Sequence, residues 1–291
     1  MSTNPRVEPF FDPATFTFTY VVYDQDGGHA AIIDPVLDFD PASGRTSTAS
    51  ADRVLAFLQA RRLRTTWILE THAHADHLTA AAYLKEQTGA KVAIGRGITG
   101  VQVRFKALFG LEADFPVDGR QFDQLFAHDE HFDVGTLQGR VLATPGHTDD
   151  SLTYLIGDAA FVGDTVFAPD TGSARTDFPG GDAHKLYRSI QALLALPDHT
   201  RIFLCHDYPP AARGPTPETS VADQRERNVH VGGNTGEEAF VAMRVKRDAT
   251  LGAPRLLLPA LQVNIRAGEL PPAEANGIRY LRLPLNQLGG A

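Results

Sequence analysis

Three histidines and one aspartate fall within six residues, His72-Ala73-His74-Ala75-Asp76-His77, directly after the apolar run Trp67-Ile68-Leu69. Imidazole and carboxylate are the usual protein ligands of zinc and iron, and so dense a run is rare unless its side chains converge on metal. His72 and His74 stand two apart, so on extended backbone they point to the same side. Asp76 and His77 follow in the turn toward the next helix, where Asp also suits an N-cap. Any one of the four alone would read as a surface or capping residue. Together they require a scaffold that holds ligands rigidly at its strand ends.

The 291 residues carry 35 acidic and 27 basic side chains, a formal charge of -8. Nucleic-acid binding needs clustered Lys and Arg, so this balance argues against a nucleic-acid partner. Small substrates stay open, because a local basic pocket can sit inside an acidic protein. Cys205 is the single cysteine, which rules out an intrachain disulfide. Its setting, Ile202-Phe203-Leu204-Cys205, reads as a buried, inert strand. No segment reaches the ~20 apolar residues of a membrane span, and Met1 to Pro9 has no apolar run of signal-peptide type. A cytoplasmic location without membrane contact is the expectation.

Periodicity then divides the chain. Residues 15–23 and 30–33 read as strands around the turn Asp26-Gly27-Gly28. Residues 38–50, polar and broken by Pro41 and Gly44, read as a surface loop. Residues 51–62 carry Val54, Phe57 and Leu58 at helix-face spacing, and 65–70 form the strand that enters the histidine run. A helix follows over 78–87, ended by Gly89, then a strand over 91–94. Gly95-Arg96-Gly97-Ile98-Thr99-Gly100 matches a dinucleotide fingerprint literally, but it lacks the first βα unit and downstream acid of such a site, so a plain turn before a helix is the better reading. Strands over 140–143, 152–156, 159–162 and 201–204, and helices over 182–196 and 237–246, complete the pattern. Two sheets with helices outside bury this many strands, in one domain with a core over about 15–232 and a short, mainly helical C-terminal extension over about 233–291.

Three further ligand-type residues each follow an apolar strand: His147 after Thr144-Pro145-Gly146, Asp164 after Phe161-Val162-Gly163, and His206 after Leu204-Cys205. The ordered set H-A-H-A-D-H, P-G-H, F-V-G-D-T and C-H-D-Y resembles the motifs of the metallo-β-lactamase superfamily, over about residues 15–210. That resemblance implies an α/β, four-layer αββα sandwich. Within it, Gly172-Ser173-Ala174-Arg175-Thr176-Asp177-Phe178 resembles the persulfide (sulfur) dioxygenase branch, which is similar to glyoxalase II. The segments Val221–Asn228 and Asn264-Ile265-Arg266-Ala267-Gly268 resemble stretches that line that branch's thiol-substrate pocket.

The resemblance implies one Fe(II) per chain on His72, His147 and Asp164, two imidazoles and one carboxylate on one face of the metal. The open positions suit a persulfide sulfur and O2, and the products are sulfite and the parent thiol. Glutathione persulfide is the implied substrate, with Arg175, Arg225 and Asn264 holding its carboxylates and amides and Tyr208 in support. His74, Asp76, His77 and His206 act as groups around the ligands in the dioxygenases and as a second metal site in dinuclear hydrolases of the same fold. Spacing leaves one iron or two zincs open. The alternative activity is therefore a glyoxalase II-like thioesterase, in which metal-activated water attacks a thioester carbonyl. A homodimer is expected, and a separate sulfurtransferase of the rhodanese type would deliver the sulfur.

Overall fold

The computed structural model describes residues 4–287; residues 1–3 and 288–291, the ends of the 1–291 domain reading, lie outside the described residues. The chain opens with β1 (Arg6–Asp12), β2 (Thr17–Tyr23), β3 (His29–Ile33), β4 (Val36–Asp40) and β5 (Arg45–Ser47). Then come α1 (Ala49–Arg61), β6 (Arg64–Leu69), β7 (Leu78–Thr79), α2 (Ala81–Thr88), β8 (Lys91–Gly95), α3 (Ile98–Phe109) and β9 (Gln124–Phe126). The second half runs β10 (His131–Val134), β11 (Leu137–Ala143), β12 (Leu152–Ile156), β13 (Ala159–Phe161), α4 (Ala183–Leu194), β14 (Arg201–Phe203) and β15 (Glu218–Ser220). It closes with α5 (Val221–Arg227), α6 (Glu237–Asp248) and α7 (Leu257–Asn264).

Two six-stranded sheets result, one in the order β1-β2-β3-β6-β8-β9 and one in the order β10 through β15. The period-two alternation of their strands decides the layering. Phe18, Tyr20 and Val22 of β2, with Ala31 and Ile33 of β3, meet Tyr154, Ile156, Phe161 and Phe203 in the core between the sheets. Their neighbours Val21, Tyr23, Ala30 and Ile32 point the other way, into a second core under α1, α2, α3 and α7. Ala160, Ile202 and Leu204 likewise face Leu186, Ile190 and Leu193 of α4 and Phe240 of α6. The product is the αββα sandwich. Each fully buried Val, Ile or Phe contributes roughly 1.5–3 kcal/mol, so strands buried on both faces anchor the scaffold rather than merely cover it.

Parallel and antiparallel pairings fix which strand ends coincide. β13 pairs with β14 in parallel, and β11 reaches the same direction through antiparallel β12. The segments after β11, β13 and β14, which carry His147, Asp164 and His206, therefore leave the second sheet at one edge. On the first sheet, β3 and β6 are parallel, so Asp34 and the histidine run emerge together. Two backbone hydrogen bonds stitch the sheets there, Leu152 N to Thr71 O at 2.8 Å and Phe18 N to Cys205 O at 2.7 Å.

Residues 38–50 correct the loop expectation. They belong to the hairpin β4–β5, which pairs with β7 in a separate three-stranded sheet. Leu37 and Phe39 pack there against Leu78, Leu256, Ala260 and Val263, so the hairpin is covered by the C-terminal helix. Residues 78–79 are strand for the same reason, and the helix starts two residues later. The G-x-G-x-x-G stretch runs from the end of β8 through a turn into α3, and its first two glycines answer a close approach: a Cβ on Gly97 would stand 2.7 Å from Asp150 Cα. Among the described residues, no helix is long and apolar enough to cross a membrane.

Candidate metal centre and substrate cavity

At the shared edge the ligand-type side chains of the described residues form four overlapping groups, each with its ligand atoms within 4.8 Å of one another, and two of these take in the buried Cys205. Of the other two, His72, His147 and Asp164 form the first, and His74, Asp76, His77 and His206 the second. Asp164 reaches both, with Oδ2 3.5 Å from His147 Nε2 and Oδ1 3.4 Å from His206 Nε2.

The hydrogen-bond network assigns the imidazole tautomers. Thr71 Oγ1 donates to Asp34 Oδ2 at 2.9 Å, so it can only accept from His72 Nδ1–H at 3.1 Å. His147 Nδ1–H donates to Arg175 O at 2.8 Å, because a carbonyl only accepts. Thr15 Oγ1 donates to Asp12 Oδ2 at 2.6 Å and accepts from Thr17 Oγ1 at 2.8 Å. Thr17 in turn accepts from His206 Nδ1–H at 3.2 Å. Such outer partners fix ring orientation and tautomer in metal sites. They leave Nε2 of His72 and His147 as a lone pair aimed inward, while His206 Nε2 faces Asp76 Oδ2 at 3.0 Å.

The donor set fits a metal cation. Nε2 of His72, His77 and His206, and Oδ1 of Asp164, are buried without a hydrogen-bond partner among the described residues, a costly state unless something else satisfies them. Burial, with the neighbouring imidazoles, pushes the pKa of His72 and His74 well below the usual histidine value, so both rings are neutral, as ligands must be. Burial lowers His206 too, but the carboxylates of Asp164 and Asp76 outweigh it and raise its pKa to about 10. Two buried acids thus draw positive charge to this point, which the His206 imidazolium or a metal dication would supply.

His74 lies beside His72, with ring centroids 4.0 Å apart, although its ligand atoms fall outside the first group. Its Nε2 lies 3.0 Å from Asp34 Oδ1 and 3.8 Å from Glu70 Oε2, both buried carboxylates. Asp34 also binds Thr71 N at 2.7 Å, so one acid braces the whole entry to the motif. Asp150 Oδ2 accepts from Ala73 N at 2.8 Å. Gly163, at φ 51°, brings the Asp164 segment against Thr71; a Cβ there would stand 2.7 Å from Thr71 Oγ1. Asp34, Glu70 and Asp150 were not singled out by the sequence, although an acid directly after an apolar strand, as in Ile32-Ile33-Asp34 and Ile68-Leu69-Glu70, was the available signal.

A cavity of about 320 Å³ opens beside His147 and Asp164, walled by Phe167, Phe178, Tyr208 and three arginines, Arg175, Arg244 and Arg247. Tyr208 stacks on His206 with ring centroids 6.0 Å apart. Arg175 lies over Phe178, and its guanidinium grips Asp177 at 2.6 and 2.7 Å and Gly252 O at 2.7 Å.

The other two expected substrate residues are elsewhere. Arg225 donates to the carbonyls of Leu194 and Leu196 and to Asp198, closing the end of α4 and lining a different depression. Asn264 is buried: its amide donates to His74 O and His77 O, each at 2.8 Å, and its oxygen accepts from Thr79 N at 2.9 Å. Neither side chain lines this cavity; Asn264 clamps the histidine loop. Arg244 and Arg247 of α6, not expected from the sequence, line the cavity. Phe240, Arg244 and Asp248 recur every four residues as the buried stripe of that helix, and an arginine in a buried stripe was the signal. His230 packs behind the same wall, where its Nδ1 accepts from Ser173 N at 2.9 Å.

The family model of the metallo-beta-lactamase superfamily matches residues 12–206. The chain belongs to that superfamily. Among relatives within it, the beta-lactamase hydrolase-like protein of Xylella fastidiosa (strain Temecula1) is 53% identical over 287 residues, 99% of this chain and 66% of the relative. The chain thus spans slightly less than two thirds of that relative's length. Glyoxylase B2 of Dictyostelium discoideum is 49% identical, with 99% of each chain covered. The mitochondrial persulfide dioxygenase ETHE1 of Bos taurus is 29% identical over 90% of this chain and 89% of its own. The crystal structure of ETHE1 from Myxococcus xanthus superposes with a TM-score of 0.72 at 32% identity, over 91% of this chain and 100% of that one.

Proposed function

We propose that the protein is a persulfide dioxygenase that oxidises the outer sulfur of glutathione persulfide, or a similar low-molecular-weight persulfide, with one Fe(II) per chain on His72, His147 and Asp164. The observation that carries this reading is the partition of the donors. Two imidazoles and one carboxylate, Asp164, which also reaches His206, form a compact group with two members on the cavity wall, while His74 Nε2 faces Asp34 and Glu70. Such a face leaves positions for two substrates. When bound, iron supplies the redox chemistry that joins O2 to sulfur. One O2 and one water furnish the three oxygens of sulfite, the S–S bond breaks, and the parent thiol and protons leave. The chain's own residues orient and enclose. Thr71 and the Arg175 carbonyl hold the two imidazoles by Nδ1, Phe167 and Phe178 shield the sulfur from water, and Tyr208 offers a hydroxyl donor on the wall. The likeness to the bovine persulfide dioxygenase and to the Myxococcus structure supports the same reading. A separate sulfurtransferase would supply the persulfide.

One observation favours a second reading, a glyoxalase II-like thioesterase with two zincs. His74, Asp76, His77 and His206 make a complete second donor group, with Asp164 3.4 Å from His206 and able to bridge, and the Dictyostelium relative carries a glyoxylase name. Oxygen uptake with glutathione persulfide, set beside hydrolysis of S-lactoylglutathione by the same preparation, separates the two.

A further inference from the structure

Of the three arginines on the cavity wall, two are fully engaged. Arg175 is held by Asp177 and Gly252 O. Arg244, 1% exposed, binds Asp248 through Nε at 2.8 Å and Ser173 O at 3.1 Å. Asp248 is saturated in turn, because it also accepts from Thr176 N at 2.8 Å. Arg247, one helical turn along from Arg244 on α6, lines the same cavity and is exposed. Its guanidinium has no ion pair or hydrogen bond among the described residues. The acids on this side of the cavity, Asp177 and Asp248, are thus committed to other arginines. The remaining cavity acids, Asp76 and Asp164, belong to the donor groups.

We infer that Arg247 is the residue that selects the substrate, by binding a carboxylate remote from its sulfur. This rests on the persulfide reading of the cavity and deepens it: the substrate class becomes thiol persulfides that carry a distal carboxylate. The cavity is polarised to suit such a molecule. The end at His147 and Asp164 takes the soft sulfur, Phe167 and Phe178 take the apolar middle, and the unpaired guanidinium takes the anion. A guanidinium fork matches a carboxylate with two parallel donors, so Lys replaces it only in part. At about 320 Å³ the cavity is at the small end of small-molecule sites. It therefore suits a peptide-sized thiol engaged at both ends better than a larger carrier.

The test is calorimetric binding of two thiols to the iron-loaded protein without oxygen: reduced glutathione, and N-acetylcysteamine, which has no carboxylate. Arg247→Ala weakens glutathione binding by about tenfold, the scale of one charge-assisted hydrogen bond. It leaves N-acetylcysteamine unchanged. Arg247→Lys recovers part of the loss, and raising the salt concentration narrows the gap, because the pair is solvent-accessible. Lys246→Ala, on the neighbouring position of the same helix, changes neither thiol. Equal losses for both thiols, or unchanged glutathione binding in Arg247→Ala, overturn the role of Arg247 and leave the dioxygenase reading standing. A wild-type protein that binds neither thiol overturns both.

Discussion

Thr71→Val isolates the brace behind the first donor group. The two side chains have nearly the same shape, but valine lacks the hydroxyl that links Asp34 Oδ2 at 2.9 Å to His72 Nδ1 at 3.1 Å. All three residues are buried, so the substitution strands a carboxylate oxygen and an imidazole N–H without access to water. Each stranded group costs about 1–3 kcal/mol. Because Asp34 keeps its bond to Thr71 N at 2.7 Å, a total of about 2–4 kcal/mol is expected, which lowers Tm by several degrees in a chain of this size. The free His72 ring also loses its tautomeric bias, and outer-sphere losses of this kind weaken metal binding by about 10–100-fold. Competition against a chelator of known affinity, beside a thermal melt of the metal-free protein, reads the two effects separately. Wild-type metal affinity in Thr71→Val would refute the claim that the Asp34–Thr71 pair orients His72.

Asp164→Ala removes the only carboxylate of the first group, and the protein is expected to emerge from desalting without iron; wild-type iron content would take Asp164 out of the ligand set. Arg225→Ala loses bonds to Leu194 O and Asp198 at the end of α4, so Tm falls by a few degrees while KM for the persulfide stays at the wild-type value; a large rise in KM would return Arg225 to the substrate site. His230 has its pKa pushed down to about 4 by burial and by the charges of Arg244 and Arg247, against about 6.5 in the unfolded chain. The unfolded chain therefore binds the extra proton first, and stability present above about pH 6.5 is lost as the pH falls toward 4, by roughly 3 kcal/mol. Melting curves across that range should flatten in His230→Gln, and an unchanged acid limb would sink the assignment.

The candidate donor residues were legible because their chemistry and spacing are carried by few residues. Each of His72, His147, Asp164 and His206 follows an apolar strand closely, and coincident strand ends do the rest. The strand over 15–23 was legible from its Thr, Phe, Tyr and Val content, but not which face meets the second sheet, since Val21 and Tyr23 are as apolar as Phe18, Tyr20 and Val22. The hairpin over 38–50 was not legible, since within that stretch β4 offers Phe39 alone as a large apolar contact and its cover, α7, comes much later in the chain. β1 was hidden by Pro9 and its charged ends, as suits an edge strand. The cavity wall was the least legible part. Arg225 and Arg247 are both helical arginines near the C-terminal end of their helix, and only tertiary packing shows that the first caps α4 whereas the second faces the cavity. Asn264 misled in another way, because a buried amide that clamps a loop and one that binds substrate look alike in sequence.

What the first donor group does when loaded with metal separates the two activities. Protein purified without oxygen, assayed for metal and then for O2 consumption with glutathione persulfide, addresses it directly. About one iron per chain, with O2 uptake that requires the persulfide and releases sulfite, is the predicted result. Two zincs per chain, no O2 uptake and rapid thioester hydrolysis would contradict it.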